Sequence, residues 1–276
     1  MKLQRLLLIP AGIAAIYFGL PILLRRLGLH PHYEGKRYHF PDKKALIITT
    51  SHDTLLESGK PTGVWASEMT VPYYEFLDAK MQVDVASIQG GRIPIEAPSV
   101  KWPVATDADK RFLTDPDFKN KVEHSLKIDD VDFADYDIVF MAGGWGAAYD
   151  LGYSKVLGEK TSDAYADGAV LGAVCHGVLG FLNTQKPDGT PLLEGLNVTG
   201  VTDKQISELG ITETPQHPET ELRKAGTIFQ ANEGKLRDIL GNLTVVDGRI
   251  VTGQNQNSGA ETAQKMMAVL QTLQVH

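Results

Sequence analysis

One cysteine occurs in the 276 residues, Cys175, within Ala173-Val174-Cys175-His176-Gly177. A single cysteine excludes an intramolecular disulfide and any Cys-x-x-Cys metal site. The thiol is then either a small buried hydrophobe or a reactive group. Its neighbours favour the second reading. The apolar run Gly168 to Val174 precedes it and Val178-Leu179-Gly180-Phe181-Leu182 follows, a strand and then a helix. Small residues two before and two after, Ala173 and Gly177, are what a sharp nucleophile elbow requires, because larger side chains would collide in so tight a turn. The following helix is expected to lower the thiol pKa through its N-terminal partial charge.

A second glycine-rich strand end is Ala142-Gly143-Gly144-Trp145-Gly146, directly after Asp137-Ile138-Val139-Phe140-Met141. Backbone amides freed by Gly143 and Gly144 read as an oxyanion hole beside Cys175, or the pair simply makes a tight turn. Trp145 either walls a pocket or caps the sheet.

These groups need a scaffold that brings two strand ends together. Ala45 to Thr50 and Gln82 to Ile88 are short apolar runs suited to strands buried on both faces, and Thr62 to Lys80 between them reads as a helix. Strands follow at Asp137–Met141, Gly168–Val174 and Asn197–Val201. Leu243–Val246 and Ile250–Thr252 are joined by the hairpin signal Asp247-Gly248, and a last helix spans Ala260 to Leu273. Residues 93–117 show no clear periodicity and read as an irregular insertion over the site. Alternating strands and helices imply an α/β fold, a mainly parallel sheet with helices on both faces, whose reactive groups collect at the carboxyl ends of the strands.

The bulk composition sets limits. Hydrophobic content of 42% and charged content of 22% are globular values, and a net charge of -7 without a basic stripe argues against a nucleic-acid partner. Leu6 to Leu24 is an uncharged stretch flanked by Lys2, Arg5, Arg25 and Arg26. At about 1.5 Å per residue it spans roughly 28 Å, close to a bilayer core, so residues 1–30 read as an uncleaved transmembrane anchor ahead of a domain over residues 40–276. The surplus of Arg25, Arg26, Lys36 and Arg37 over Lys2 and Arg5 leans that domain towards the cytoplasmic side by the positive-inside rule, a margin the free amine nearly cancels, so the side stays open.

Together, Ala173 to Gly177, Ala142 to Gly146 and Pro61-Thr62-Gly63-Val64-Trp65-Ala66-Ser67-Glu68 resemble the DJ-1/PfpI superfamily, most closely its Hsp31-like branch within the class I glutamine amidotransferase-like fold. The likeness runs from about Lys44 to Leu273. It implies a flavodoxin-like three-layer sandwich in which the Glu68 carboxyl approaches the Cys175 sulfur and His176 is the general base. It also implies a glutathione-independent glyoxalase, a lyase-type enzyme needing no cofactor or metal and converting methylglyoxal to lactate. In that reaction the Cys175 thiolate attacks the aldehyde to give a hemithioacetal, and His176 moves a proton between the two carbons through an enediol while Gly143 and Gly144 hold the oxyanion. Relatives are commonly dimeric, which makes a homodimer an expected state. Alternative activities within this resemblance are a stress-response chaperone or thiol redox sensor, and a cysteine peptidase or amidase.

Two positions depart from the pattern. Trp145 stands where Hsp31-like relatives often carry histidine. Ile206 stands where the acid that orients the histidine is expected, leaving Asp203 or Glu208 as substitutes, while His217 either faces the pocket or is an ordinary surface histidine.

Overall fold

The computed structural model describes residues 16–234 and 236–274. Its centre is a seven-stranded sheet in the order β3-β2-β1-β4-β5-β9-β8. The strands are β1 (Lys44–Thr49), β2 (Gln82–Ser87), β3 (Leu126–Lys127), β4 (Ile138–Met141), β5 (Val170–Val174), β8 (Thr244–Asp247) and β9 (Ile250–Gly253), while β6 (Asn197–Val198) and β7 (Ile228–Phe229) form a separate parallel pair. All sheet pairings are parallel except the β8–β9 hairpin, whose turn places Gly248 at φ 56°, as the Asp-Gly signal predicts.

The apolar runs become central strands because both of their faces are covered. Ala45, Ile47, Val170 and Val174 join one core layer with Met69, Tyr73 and Phe76 of helix Ala66–Asp78 and Ala263, Met266 and Leu270 of helix Gly259–Leu273. Leu46, Ile48, Leu171 and Ala173 point the other way, onto Leu157 and Ala164 of helix Lys155–Ala166 and onto Phe181. The period-two alternation of a strand splits each run between the two layers. The three-layer α/β expectation holds. The strand order reverses between β1 and β4, and that switch point is where parallel sheets open a crevice at their carboxyl ends.

Two expectations are corrected here. Residues 93–117 are not irregular throughout. After a 3-10 turn at Ala97–Val100, they contain helix Asp107–Thr114 and begin helix Pro116–Glu123. Each helix has eight residues, too few for apolar periodicity to show, and both are specified at their ends. Thr106 and Asp109 close a reciprocal capping box, and Asp115 accepts from the amides of Asp117 and Phe118.

The second correction concerns the membrane anchor. Residues 1–15 lie outside the described residues. Residues 16–26 are helical, and among the described residues no helix is long and apolar enough to cross a membrane. The described helix would span only about 16 Å at 1.5 Å per residue, half a bilayer core. It ends in a turn with Gly28 at φ 111° and lies on the domain. Trp102 Nε1 donates to the Tyr17 carbonyl at 3.1 Å, the two rings stack with centroids 5.4 Å apart, and Arg25 pairs with Asp107 at 3.3 Å. The membrane partner and the membrane-anchored localisation are withdrawn with it.

The insertion is anchored through Phe118, fully buried and stacked on Tyr73 with the Phe112 ring edge-on. Phe118→Ala is expected to cost about 3–5 kcal/mol of stability by urea denaturation. A loss below about 1 kcal/mol would show that the inserted helices lie outside the cooperative core.

Candidate active site

Cys175 is the first residue after β5, and its φ of 58° lies in the left-handed region. A side chain rarely adopts that backbone without a reason, and here it turns the sulfur out of the sheet at the strand's carboxyl end. The neighbours explain why only small residues fit. A Cβ on Gly177 would lie 2.3 Å from the Met141 carbonyl oxygen at the end of β4, and one on Gly143 would lie 2.6 Å from Glu68 Oε2 and 2.7 Å from the His176 amide nitrogen. The two strand ends singled out in the sequence therefore interlock.

Glu68 arrives from a third element. It sits in the first turn of helix Ala66–Asp78, whose entry is tied to the glycine turn by two backbone bonds, Trp65 N–H to the Gly143 carbonyl at 3.2 Å and Gly146 N–H to the Gly63 carbonyl at 3.1 Å. A Cβ on Gly144 would strike Trp65 N at 2.3 Å, and Gly144 is at φ 110°. The glycines thus serve close backbone approach as well as amide presentation.

The groups converge in a nearly dry place. Cys175 is 7%, His176 3% and Glu68 1% exposed. The Glu68 carboxyl meets the Cys175 thiol and the Gly143 amide, although Oε2 makes no well-aligned hydrogen bond among the described residues. Burial raises Glu68 from 4.5 to about 8, against the lowering effect of those two contacts, so it is protonated at neutral pH. Burial and the Glu68 carboxylate push the Cys175 thiol up, while the His176 and Gly144 amides, which point at the sulfur, pull it down. The expected lowering by a following helix is not found. The segment after the cysteine is a seven-residue 3-10 turn, Cys175–Phe181, too short to carry an α-helical macrodipole.

His176 Nδ1 lies 3.5 Å from Cys175 Sγ. Burial, and then nearby His217, hold its pKa down to about 3, so the ring is neutral. Its Nε2 is buried and has no hydrogen-bond partner among the described residues. Ile206 is packed in the core at the place of the expected acid. Neither alternative carboxylate reaches the ring. Glu208 accepts from the Asp238 and Ile239 amides, and Asp203 faces His217 Nδ1 at 3.4 Å and accepts from Thr220 at 2.7 Å. Trp145 is a pocket wall, not a sheet cap. Its ring lies over His176 with centroids 6.4 Å apart, and Nε1 donates to the Glu213 carbonyl at 3.1 Å.

Several residues of this cavity carry no site signal in the sequence, Trp65 and Glu96 nearest the reactive groups among them. Trp65 lines it, with a buried Nε1–H that has no partner among the described residues. Glu96, from the insertion, lines it while accepting from Thr62 Oγ1 at 2.6 Å and from the Gly63 and Trp145 amides. Nothing in the local sequence marks Glu96. The one available signal is that Trp65 belongs to the same motif as Glu68. Among the described residues no cluster of His, Cys, Asp and Glu could hold a metal ion.

The buried carboxyl and imidazole have opposite linkage to folding. Glu68 keeps its proton to about pH 8 when folded but only to about 4.5 when unfolded, so stability falls as pH rises between those values. His176 stays neutral to about pH 3 when folded but protonates below 6.5 when unfolded, so stability falls as pH drops from 6.5 to 3. The Glu68→Gln variant is therefore expected to gain stability relative to the wild type as pH rises from 4.5 to 8, read from urea midpoints at fixed pH. A difference that does not change with pH would contradict a neutral buried Glu68.

The DJ-1/PfpI family pattern matches residues 61–269. Glyoxalase 3 of Candida albicans is 31% identical, covering 83% of this chain and 98% of that protein. The glutathione-independent glyoxalase HSP31 of Saccharomyces cerevisiae is 32% identical, covering 83% of this chain and 98% of its own length. Among solved structures, glyoxalase III from Candida albicans superposes with a TM-score of 0.74 at 32% identity over 82% of this chain and 97% of that one. The Rapid Encystment Protein 24 KDa of Francisella tularensis gives 0.76 at 32% identity over 83% and 99%. With the site motifs and the sheet order already in place, these matches make the chain a member of the DJ-1/PfpI family.

Proposed function

We propose that this protein is a glutathione-independent glyoxalase that converts methylglyoxal to lactate through a covalent adduct on Cys175. The observation that carries the reading is the convergence on one sulfur of the Glu68 carboxyl, the His176 ring and the Gly144 and His176 amides at a left-handed turn. The similarity over most of the chain to proteins named glyoxalases supports it.

The chemistry balances with water alone. The Cys175 thiol adds across the aldehyde: an S–C bond forms, the carbonyl π electrons move to oxygen, and the thiol proton ends on that oxygen by way of Glu68, whose carboxyl touches the sulfur. The Gly144 and His176 amides face the charge that develops beside sulfur. His176 then takes the proton from the former aldehyde carbon as the ketone oxygen gains a proton to give an enediol, and returns it to the neighbouring carbon while the hydroxyl on the sulfur-bearing carbon gives up its proton, leaving a 2-hydroxy thioester with no net change in protons. Water adds to this thioester, the C–S bond breaks, and lactate and the free thiol are released. The burial that holds the His176 ring neutral leaves it able to accept the carbon proton.

A peptidase reading has less support. Efficient acyl transfer from a poor leaving group relies on a histidine oriented by a third group, and His176 Nε2 has no such partner among the described residues.

Cys175→Ala is expected to lower lactate formation from methylglyoxal at least 100-fold while the thermal midpoint moves by only a few degrees. Unchanged turnover in that variant would remove the proposal.

A further inference from the structure

The cavity above Cys175 is far larger than methylglyoxal needs. Its volume is about 360 Å³, within the roughly 300–1,000 Å³ range of pockets that bury drug-sized ligands. Its lining is also divided. The polar groups, Cys175, His176, Glu68 and Glu96, gather at the reactive end, and Glu96 is already engaged by Thr62 and two backbone amides. Apart from Gly144, Pro98 and one further polar side chain, Gln256, the remaining wall is built from Trp65, Trp145, Val201, Leu209, Ile211 and Ile239.

The aromatic part of that wall is held in place. Trp145 is fixed at one end by the Nε1–H bond to the Glu213 carbonyl and along its face by His176. It therefore presents a pre-set aromatic surface, not a mobile side chain. Val201 and Ile239 are buried and supply the aliphatic side, and Leu209, half-exposed, stands at the mouth. A methyl substituent would leave most of this apolar surface uncovered. An aryl or longer alkyl substituent would cover it and gain the corresponding transfer free energy.

We infer that the preferred substrates are 2-oxoaldehydes bearing a bulky apolar substituent, aryl or medium-length alkyl, whose substituent lies against Trp145 and the Val201–Leu209–Ile211–Ile239 wall while the aldehyde faces Cys175. This assignment rests on the glyoxalase reading and sharpens it from a reaction to a substrate class. The apolar end selects by contact area, which in such pockets gives 10- to 200-fold discrimination per methylene-sized difference. Its product is the matching 2-hydroxy acid, formed by the same water-balanced steps as lactate.

The test compares initial rates of the full chain on glyoxal, methylglyoxal and phenylglyoxal, with short incubations because phenylglyoxal also modifies arginine. The expected order of kcat/KM is phenylglyoxal over methylglyoxal by at least tenfold, and methylglyoxal over glyoxal. Ile211→Asn separates pocket fit from the intrinsic reactivity of the aryl aldehyde. It is expected to lower the phenylglyoxal-to-methylglyoxal ratio of kcat/KM at least fivefold, mainly through KM for phenylglyoxal. Methylglyoxal turnover equal to or faster than phenylglyoxal turnover, or an unchanged ratio in a folded Ile211→Asn variant, overturns the substrate class and leaves the glyoxalase reading standing. Absence of Cys175-dependent turnover of all three aldehydes overturns both.

Discussion

The left-handed backbone at Cys175 is the constraint around which the site is arranged. A non-glycine residue at φ 58° costs on the order of 1–2 kcal/mol, so the surroundings must hold it there. They do so by pinning β5 between β4 and β9 with parallel ladders on both sides, so that the chain can leave the sheet only by a sharp turn at its carboxyl end. The contacts at Gly177 and Gly143 show how tight that exit is: one added carbon at either position would collide with β4 backbone or with Glu68. Three elements thus reach the sulfur by backbone fit. Moving any of them by an ångström would lose the amide contacts that oppose the high thiol pKa.

Burial then sets the protonation states. Glu68 and His176 are both pushed towards their neutral forms, since a low-dielectric enclosure penalises charge and offers few partners. A neutral carboxyl can give a proton to sulfur or substrate oxygen, and a neutral imidazole can accept one. In the proposed reaction this pair is what relays protons. The proposed reaction at Cys175 does not call on a helix dipole. The amides of Gly144 and His176 supply local positive edges at much shorter range.

The insertion between β2 and β3 closes the site from above, and its short capped helices explain how a segment poor in hydrophobic periodicity remains ordered. Val64 N–H bonds the Pro94 carbonyl and Glu96 N–H bonds the Val64 carbonyl, so the insertion grips the same turn that delivers Glu68. Phe112 and Phe118 anchor its helices in the core beside Tyr73. The lid and the catalytic helix are consequently one packed unit, and the apolar wall of the cavity stays in register with the reactive end.

The sheet was legible in the sequence, because runs such as Ala45 to Thr49 and Val170 to Val174 are short, apolar on both faces and separated by helical stretches, the pattern of strands buried in a parallel sheet. The small-x-Cys-x-Gly spacing at the end of an apolar strand also marked Cys175 as a residue on a sharp turn, and its φ of 58° bears that geometry out. The family likeness brought in Glu68, which local pattern alone would have left as an ordinary helix carboxylate. Quantities that depend on groups far apart in the chain emerged only with the fold. The thiol pKa is raised because burial and a carboxylate more than a hundred residues away outweigh local amides. Ile206 is core, so His176 has no orienting acid among the described residues. Glu96, Leu209, Ile211 and Ile239 share one cavity although no spacing links them. The apolar stretch before Leu24 read as an anchor because hydropathy along a chain cannot see that Tyr17 lies on Trp102. Contact between distant residues fixes charge, shape and exposure together, and one-dimensional patterns carry only the part of it that repeats locally.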